Sequence, residues 1–254
     1  MKENGKALHR HDISDNLWEK IKDLLPEAAG KQGRMAHDNR RFINAVSWIV
    51  RTGVPDRDLP PEYGNWKNTH RRFSRRRDRD VWKTIAAEVI EEVDTQWLMI
   101  DATYSKVHAD GCTAVGGNQA IGRTKGGSIP KSTLVLISGE SQVRIIVSAG
   151  QEADCAYVPP LMAGLSVKIL IADRGYDVNQ VIDTACARGI KVVIPSKRSR
   201  KVVRTYDTEL YKKRHLIENV FWWLKQYRGI ATRYAQRSDS FLAALYLRSI
   251  FLSF

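Results

Sequence analysis

Two short apolar runs, each ending in an acid, constrain this chain more than any other feature. Trp97-Leu98-Met99-Ile100 runs into Asp101, and Val167-Lys168-Ile169-Leu170-Ile171-Ala172 runs into Asp173. Such runs, bounded by turn residues, read as buried strands. Residues 132–138 and 142–148 read as a hairpin turning at Gly139-Glu140-Ser141. Residues 154–165 suggest a short helix with Pro159-Pro160 near its first turn. Residues 178–188 suggest another, capped by Gly189, and residues 190–195 a further buried strand. A helical pattern covers 211–225. The order is strand, hairpin strands, helix, strand, helix, strand, helix. That predicts an α/β fold, a mixed sheet flanked by helices. Acids just beyond strand ends of such a sheet sit where ligands usually bind.

The chain before residue 95 reads differently. A helix to residue 24 can be capped by Asp12 or Ser14 and is ended by Pro26. A second, 38–51, carries an apolar stripe of Phe42, Ala45, Val46, Ile49 and Val50 and is broken at Gly53-Val54-Pro55. A turn-rich stretch, 58–64, precedes a helix after Asn65 or Asn68, and a fourth helix covers 80–93. Arg71, Arg72, Arg75, Arg76 and Arg77 interleave with Phe73 in this segment, as in a helix-turn-helix DNA module. Two domains are therefore expected: helical and DNA-binding over 1–94, α/β over 95–254.

Charge supports a polyanionic partner. The 254 residues carry a formal net charge of +13, which favours nucleic acid first and an acidic membrane second. There is no apolar run long enough to span a bilayer, since Arg248 interrupts the apolar stretch 241–254. The segment from Met1 to Lys6 lacks the apolar part of a signal peptide, so a cytoplasmic location is expected. Cys112, Cys155 and Cys186 form no CxxC pair and suggest neither a zinc site nor a disulfide framework. The glycine-rich loop 109–130 holds Arg123 and Lys125 and could cradle a phosphate or simply be a surface loop. Loop 196–201 adds Lys197, Arg198 and Arg200.

The 211–225 pattern lacks Gly and Pro. At about 100° per residue, Tyr211, Arg214, Glu218 and Lys225 share an arc of roughly 60°. Leu216, Ile217, Val220, Trp223 and Leu224 are expected on the opposite, buried side. Trp222 falls about 40° from Glu218, where it would either stack on an unpaired base or pack beneath a covering loop. Asp101, Asp173 and Glu218 brought together would repel unless cations lay between them. Mg²⁺ takes such oxygen ligands, and two ions can drive an in-line phosphoryl displacement.

These segments together resemble bacterial insertion-sequence DDE transposases of the insertion sequence four and five superfamily, the five type above all. The carriers are Tyr211-x2-Arg214-x3-Glu218-x6-Lys225, Ile100-Asp101-Ala102-Thr103-Tyr104, and Ala172-Asp173-Arg174-Gly175-Tyr176-Asp177. Further matches are 58–66, 122–127, Gly150-Gln151-Glu152-Ala153-Asp154 and 228–234. The resemblance implies a ribonuclease-H-like catalytic domain in which Asp101, Asp173 and Glu218 hold Mg²⁺ or Mn²⁺, two ions in all. It implies contacts of Tyr211, Arg214 and Lys225 with DNA at the cleaved end. The expected activity is binding of double-stranded inverted-repeat ends, metal-dependent cleavage and strand transfer into target DNA, with self-association on DNA at the bacterial nucleoid. A tyrosine recombinase would need an Arg/His cluster around its tyrosine, which is not found. Two alternatives stay open: a metal-dependent nuclease that does not join strands, and a non-catalytic DNA-binding regulator. Asp56, where the family commonly has Trp, and Ser132-Thr133 in place of a Lys-Ile-His run favour the second.

Overall fold

Alternation along the first acid-ending run sets the architecture. β1, Trp97–Val107, sends Leu98 and Ile100 into one buried cluster and Met99 into another. β5, Ile169–Ala172, does the same with Leu170 and Ala172 against Ile171. Successive side chains point to opposite faces, so a strand apolar on both must be covered on both. The computed structural model describes residues 11–26, 38–89, 97–113, 119–124, 127–139 and 142–252.

β1 lies inside the sheet. It pairs antiparallel with β3, Gly127–Gly139, and parallel with β5. β5 pairs parallel with β6, Lys191–Val193. β3 also pairs with β2, Gly122–Thr124, and with β4, Gln142–Ala149, as the hairpin reading anticipated. β7, the two residues Thr232–Arg233, adds to the far end of β1. The main order is β2-β3-β1-β5-β6, with β4 on β3 and β7 on β1. Sequence reading missed β2 and the first residues of β3, which it placed in a loop. Glycine-rich strands carry little apolar alternation to reveal them.

One face is covered by α5, Val158–Met162, and α6, Asn179–Ala187, through Leu161, Met162, Val181 and Ile182. The other face carries the remaining helices. Four come from the N-terminal third: α1 (Asp15–Ile21), α2 (Asn39–Thr52), α3 (Trp66–Arg77) and α4 (Val81–Val89). Ser14, Asp38 and Asn65 cap the first three by accepting a backbone N–H. Three more come from the C-terminal part: α8 (His215–Lys225), α9 (Arg228–Ala231) and α10 (Ser238–Leu252), with α7 (Thr208–Lys212) leading into them. Leu17, Phe42, Trp82, Met99, Ile171, Phe221 and Leu245 all belong to a single core. The N-terminal helices thus share their apolar interior with the sheet and the last helices. The expected domain boundary at 94/95 lies outside the described residues.

Gly229 shows how close this packing is. A Cβ there would stand 2.7 Å from the Val50 carbonyl oxygen, so only glycine lets α9 rest on the end of α2. No described helix is long and apolar enough to cross a membrane.

Candidate active site

Parity and register bring the first two acids together. Ile100 pairs with Ala172 across the parallel strands, so Asp101 and Asp173 each follow one end of that pair. Adjacent strands lie about 4.8 Å apart. Asp101 has the parity of Met99, and so points toward the side that α8 covers. Asp173 also caps the turn Arg174–Tyr176: its Oδ1 accepts the Gly175 N–H at 2.7 Å. A Cβ on Gly175 would meet that oxygen at 2.9 Å, so this glycine keeps the carboxylate in place. Asp101 Oδ1 accepts the N–H of Ala102 at 2.8 Å.

Glu218 arrives on α8. The continuous helix expected over 211–225 is interrupted at Lys213-Arg214, between α7 and α8. There the backbone closes tighter turns, with Arg214 N–H bonded to Tyr211 O and Ile217 N–H to Arg214 O. The buried stripe is Ile217, Phe221 and Leu224; Leu216 and Trp223, expected inside, are 44% and 49% exposed. The apolar face is therefore rotated beside the charged arc instead of opposite it. Phe221, omitted from the expected face, forms its edge nearest the charged arc, and the sheet and α10 pack on that side.

Arg214 joins the pieces. Its Nη1 donates to Asp101 Oδ2 at 3.1 Å and its Nη2 to Glu218 Oε1. Burial works against the guanidinium's charge, but Glu218 and Asp101 hold its proton affinity above the ordinary value. Burial pushes the Asp101 carboxyl up; the Ala102 N–H and Arg214 oppose this, and Asp173 and Glu218 add to it. Lys225 donates to Thr103 Oγ1 at 2.6 Å, two residues along β1 on the same face, and burial lowers its proton affinity. Tyr211 packs edge-on against Tyr206.

These acids offer only hard oxygen donors, which suits Mg²⁺ or Mn²⁺. Among the described residues no three His, Cys, Asp or Glu side chains gather tightly enough to hold a metal ion. The guanidinium between Asp101 and Glu218 is the physical reason for that pair. The fit is thus one of donor chemistry, supported by a buried, unpartnered oxygen on Asp154 in the field of Asp101 and Asp173, and not one of a preformed cage.

Comparison with known proteins identifies the family. The description "Transposase DDE domain" matches residues 93–252, more than half of the chain. The chain belongs to the DDE transposase family. A second family, "Putative transposase of IS4/5 family", matches residues 13–86. The chain is 34% identical over 128 residues to "Uncharacterized protein y4sN" of Sinorhizobium fredii, covering 50% of this chain and 96% of that one. It is 35% identical over 108 residues to "Putative transposase for insertion sequence element IS6501" of Brucella ovis, covering 41% and 82%.

Beyond the acids, this DDE transposase distributes the anticipated DNA-contacting residues unevenly. Arg71 and Arg75 are exposed on α3. Arg76 is buried, its guanidinium over the Phe42 and Trp82 rings and bonded to Pro26 O and Asn39 Oδ1. Arg72 lies over Phe42 and donates to Asp38 O and Asn39 Oδ1. Arg77 binds Ser240 and Asp78. In the basic loop, Arg198 is exposed and Lys197 half-buried, while Arg200 donates to Asp177 at 2.7 Å. Asp177, to which no role was assigned, also receives Arg204 and the Lys197 N–H. Burial alone would raise its carboxyl, but these donors hold it at about 2. Trp222 is 58% exposed, its ring edge against Trp223. Lys125 and the side chain of Arg123 lie outside the described residues.

Proposed function

We propose that this chain binds the inverted-repeat ends of an insertion sequence and catalyses metal-dependent DNA cleavage and strand transfer, as an element of the insertion sequence five type. The observation that carries this is the Arg214 bridge between Asp101 on β1 and Glu218 on α8, with Asp173 one strand away. Residues far apart in sequence are thereby joined where β5 ends beside the middle of β1, which continues past Asp101 to Val107. The sheet order fits a ribonuclease-H-like domain, which supports the same reading. Asp101, Asp173 and Glu218 would hold the ions. When bound, two divalent cations can activate the attacking oxygen and stabilise the leaving one.

The remaining residues bind and orient. Arg214 keeps Asp101 and Glu218 on one side of the site, and Lys225 is fixed over β1 by Thr103. Both place positive charge where a scissile phosphate would approach. Tyr211 sits at the end of α7 as a binding residue; the proposed chemistry needs no tyrosine nucleophile. Arg71 and Arg75 on α3, with Lys197 and Arg198, supply sequence-independent phosphate contacts, and self-association on DNA would bring two ends together.

The test uses the full chain, Mg²⁺ and a duplex carrying the element's terminal repeat. Cleavage followed by joining to a target duplex is expected; cleavage without joining would leave the nuclease reading. Asp173→Asn should abolish Mg²⁺-dependent cleavage while end binding persists. An asparagine oxygen can still accept the Gly175 N–H, so the turn is retained. Cleavage by this variant at the wild-type rate would refute the ligand assignment. A second reading, a non-catalytic DNA-binding regulator, draws on the guanidinium lodged between two of the acids. End binding with no Mg²⁺- or Mn²⁺-dependent cleavage would favour it.

A further inference from the structure

Asp154 begins the turn Asp154–Tyr157 after β4, and this turn packs against Arg174–Tyr176, the turn that follows Asp173. Its Oδ1 is buried without a hydrogen-bond partner. The Tyr176 hydroxyl is likewise buried and unpartnered, on a side chain only 4% exposed. Buried polar atoms without partners are rare in native proteins, and each calls for a specific explanation. Here two occur together, and both feel the charges of Asp101 and Asp173. An anionic ligand is excluded by the three neighbouring carboxylates. A neutral apolar ligand would leave the oxygens unsatisfied. A hard divalent cation gains from the negative charge and accepts oxygen donors.

We infer that Asp154 is a further acidic ligand of the cation site formed by Asp101 and Asp173, and that the Tyr176 hydroxyl supports the same cation from the buried side. This rests on the reading of Asp101 and Asp173 as cation ligands. It adds a fourth carboxylate, one that the strand-end pattern does not reveal because it precedes β5 by a turn, a helix and a loop. Charge count then changes: a centre of four acids holds a cation more tightly than one of three.

The experiment is a Mn²⁺ titration of the full-length protein without DNA, followed by the electron paramagnetic resonance of free Mn²⁺, with thermal melting in parallel. Asp154→Asn is expected to weaken Mn²⁺ binding about 10–100-fold. Its melting temperature without cation should be no lower than that of the wild type, because the change removes a carboxylate that Asp101 and Asp173 repel. Tyr176→Phe, which keeps the ring and its packing, should weaken binding by a smaller factor. Wild-type Mn²⁺ affinity in both variants overturns the inference. So does a marked loss of stability in Asp154→Asn together with unaltered affinity in Tyr176→Phe, which would make Asp154 a structural residue. Asp173→Asn separates the two levels: if it also binds Mn²⁺ like the wild type, the underlying reading of the site fails.

Discussion

Arg76 and its neighbours show how one run of identical charges divides among different tasks. At 3% exposure, Arg76 spends its guanidinium on two aromatic faces, a carbonyl and Asn39. Arg76→Ala should cost on the order of 2–3 kcal/mol in a denaturant titration, through the cavity it leaves and the partners it abandons. It should leave the salt dependence of DNA affinity unaltered. Arg71 and Arg75 are the reverse case. Replacing both with Ala should leave stability within about 0.5 kcal/mol and reduce the slope of log affinity against log salt by about 0.9 for each phosphate no longer neutralised. An unaltered slope would return both to ordinary solvated surface. The arginines were legible as a basic helix face. Their division was not, because burial of Arg76 depends on Phe42 and Trp82, which reach it from other helices. The unpartnered oxygens of Asp154 and Tyr176 were equally invisible: an orphan is defined by what fails to surround it.

α8 carries the element-scale lesson. Its existence, its acid and its cations followed from periodicity, but its orientation did not. A helical wheel places residues relative to one another, and the partner surface decides which arc is buried. The sheet and α10 approach through Ile217, Phe221 and Leu224, leaving Trp223 exposed and Trp222 at the surface on the side of Glu218. An exposed tryptophan beside an acid-and-cation face favours contact with unstacked bases. Trp222→Ala should therefore leave the melting temperature nearly unaltered and weaken binding to frayed or pre-nicked ends by about 1–3 kcal/mol, more than to intact duplex. Equal weakening on both substrates, or unfolding, would make it a packing residue. α10 teaches the opposite: buried on nearly all sides, it is a core helix whose Arg248 finds the Trp223 carbonyl and the Tyr227 ring.

Across the whole molecule, charge is managed by a few buried anchors. Asp177 ties the turn after Asp173 to the loop carrying Lys197, Arg198 and Arg200. Its carboxyl, held at about 2, lies below an unfolded value of about 3.9. A depressed acid stabilises the fold above the unfolded value, and that contribution is lost as pH falls through the folded value. The wild type should thus lose stability progressively between about pH 4 and pH 2. Asp177→Asn should be less stable at neutral pH, with the gap to the wild type closing over that window. A gap of constant size down to pH 2 would show that the donors do not depend on its charge.

The sequence by itself left α9, α10, β2 and β7 unread, but it determined the α/β class, the other helices and most of the sheet, a cap at Asp12 or Ser14 and another at Asn65 or Asn68, and the two acids that follow apolar runs. Each of these is written in local period or in a residue's own backbone preference. It also carried the family, through motifs whose spacing is local. Tertiary structure alone decided which face of α8 is buried, which arginines remain outside, that Arg214 stands between Asp101 and Glu218, and that the turn begun by Asp154 packs against the turn after Asp173. It also decided that the N-terminal helices and the sheet share one core. Those outcomes depend on surfaces meeting across long sequence separations, and burial, pairing and charge coupling acquire values only once the partners are in place.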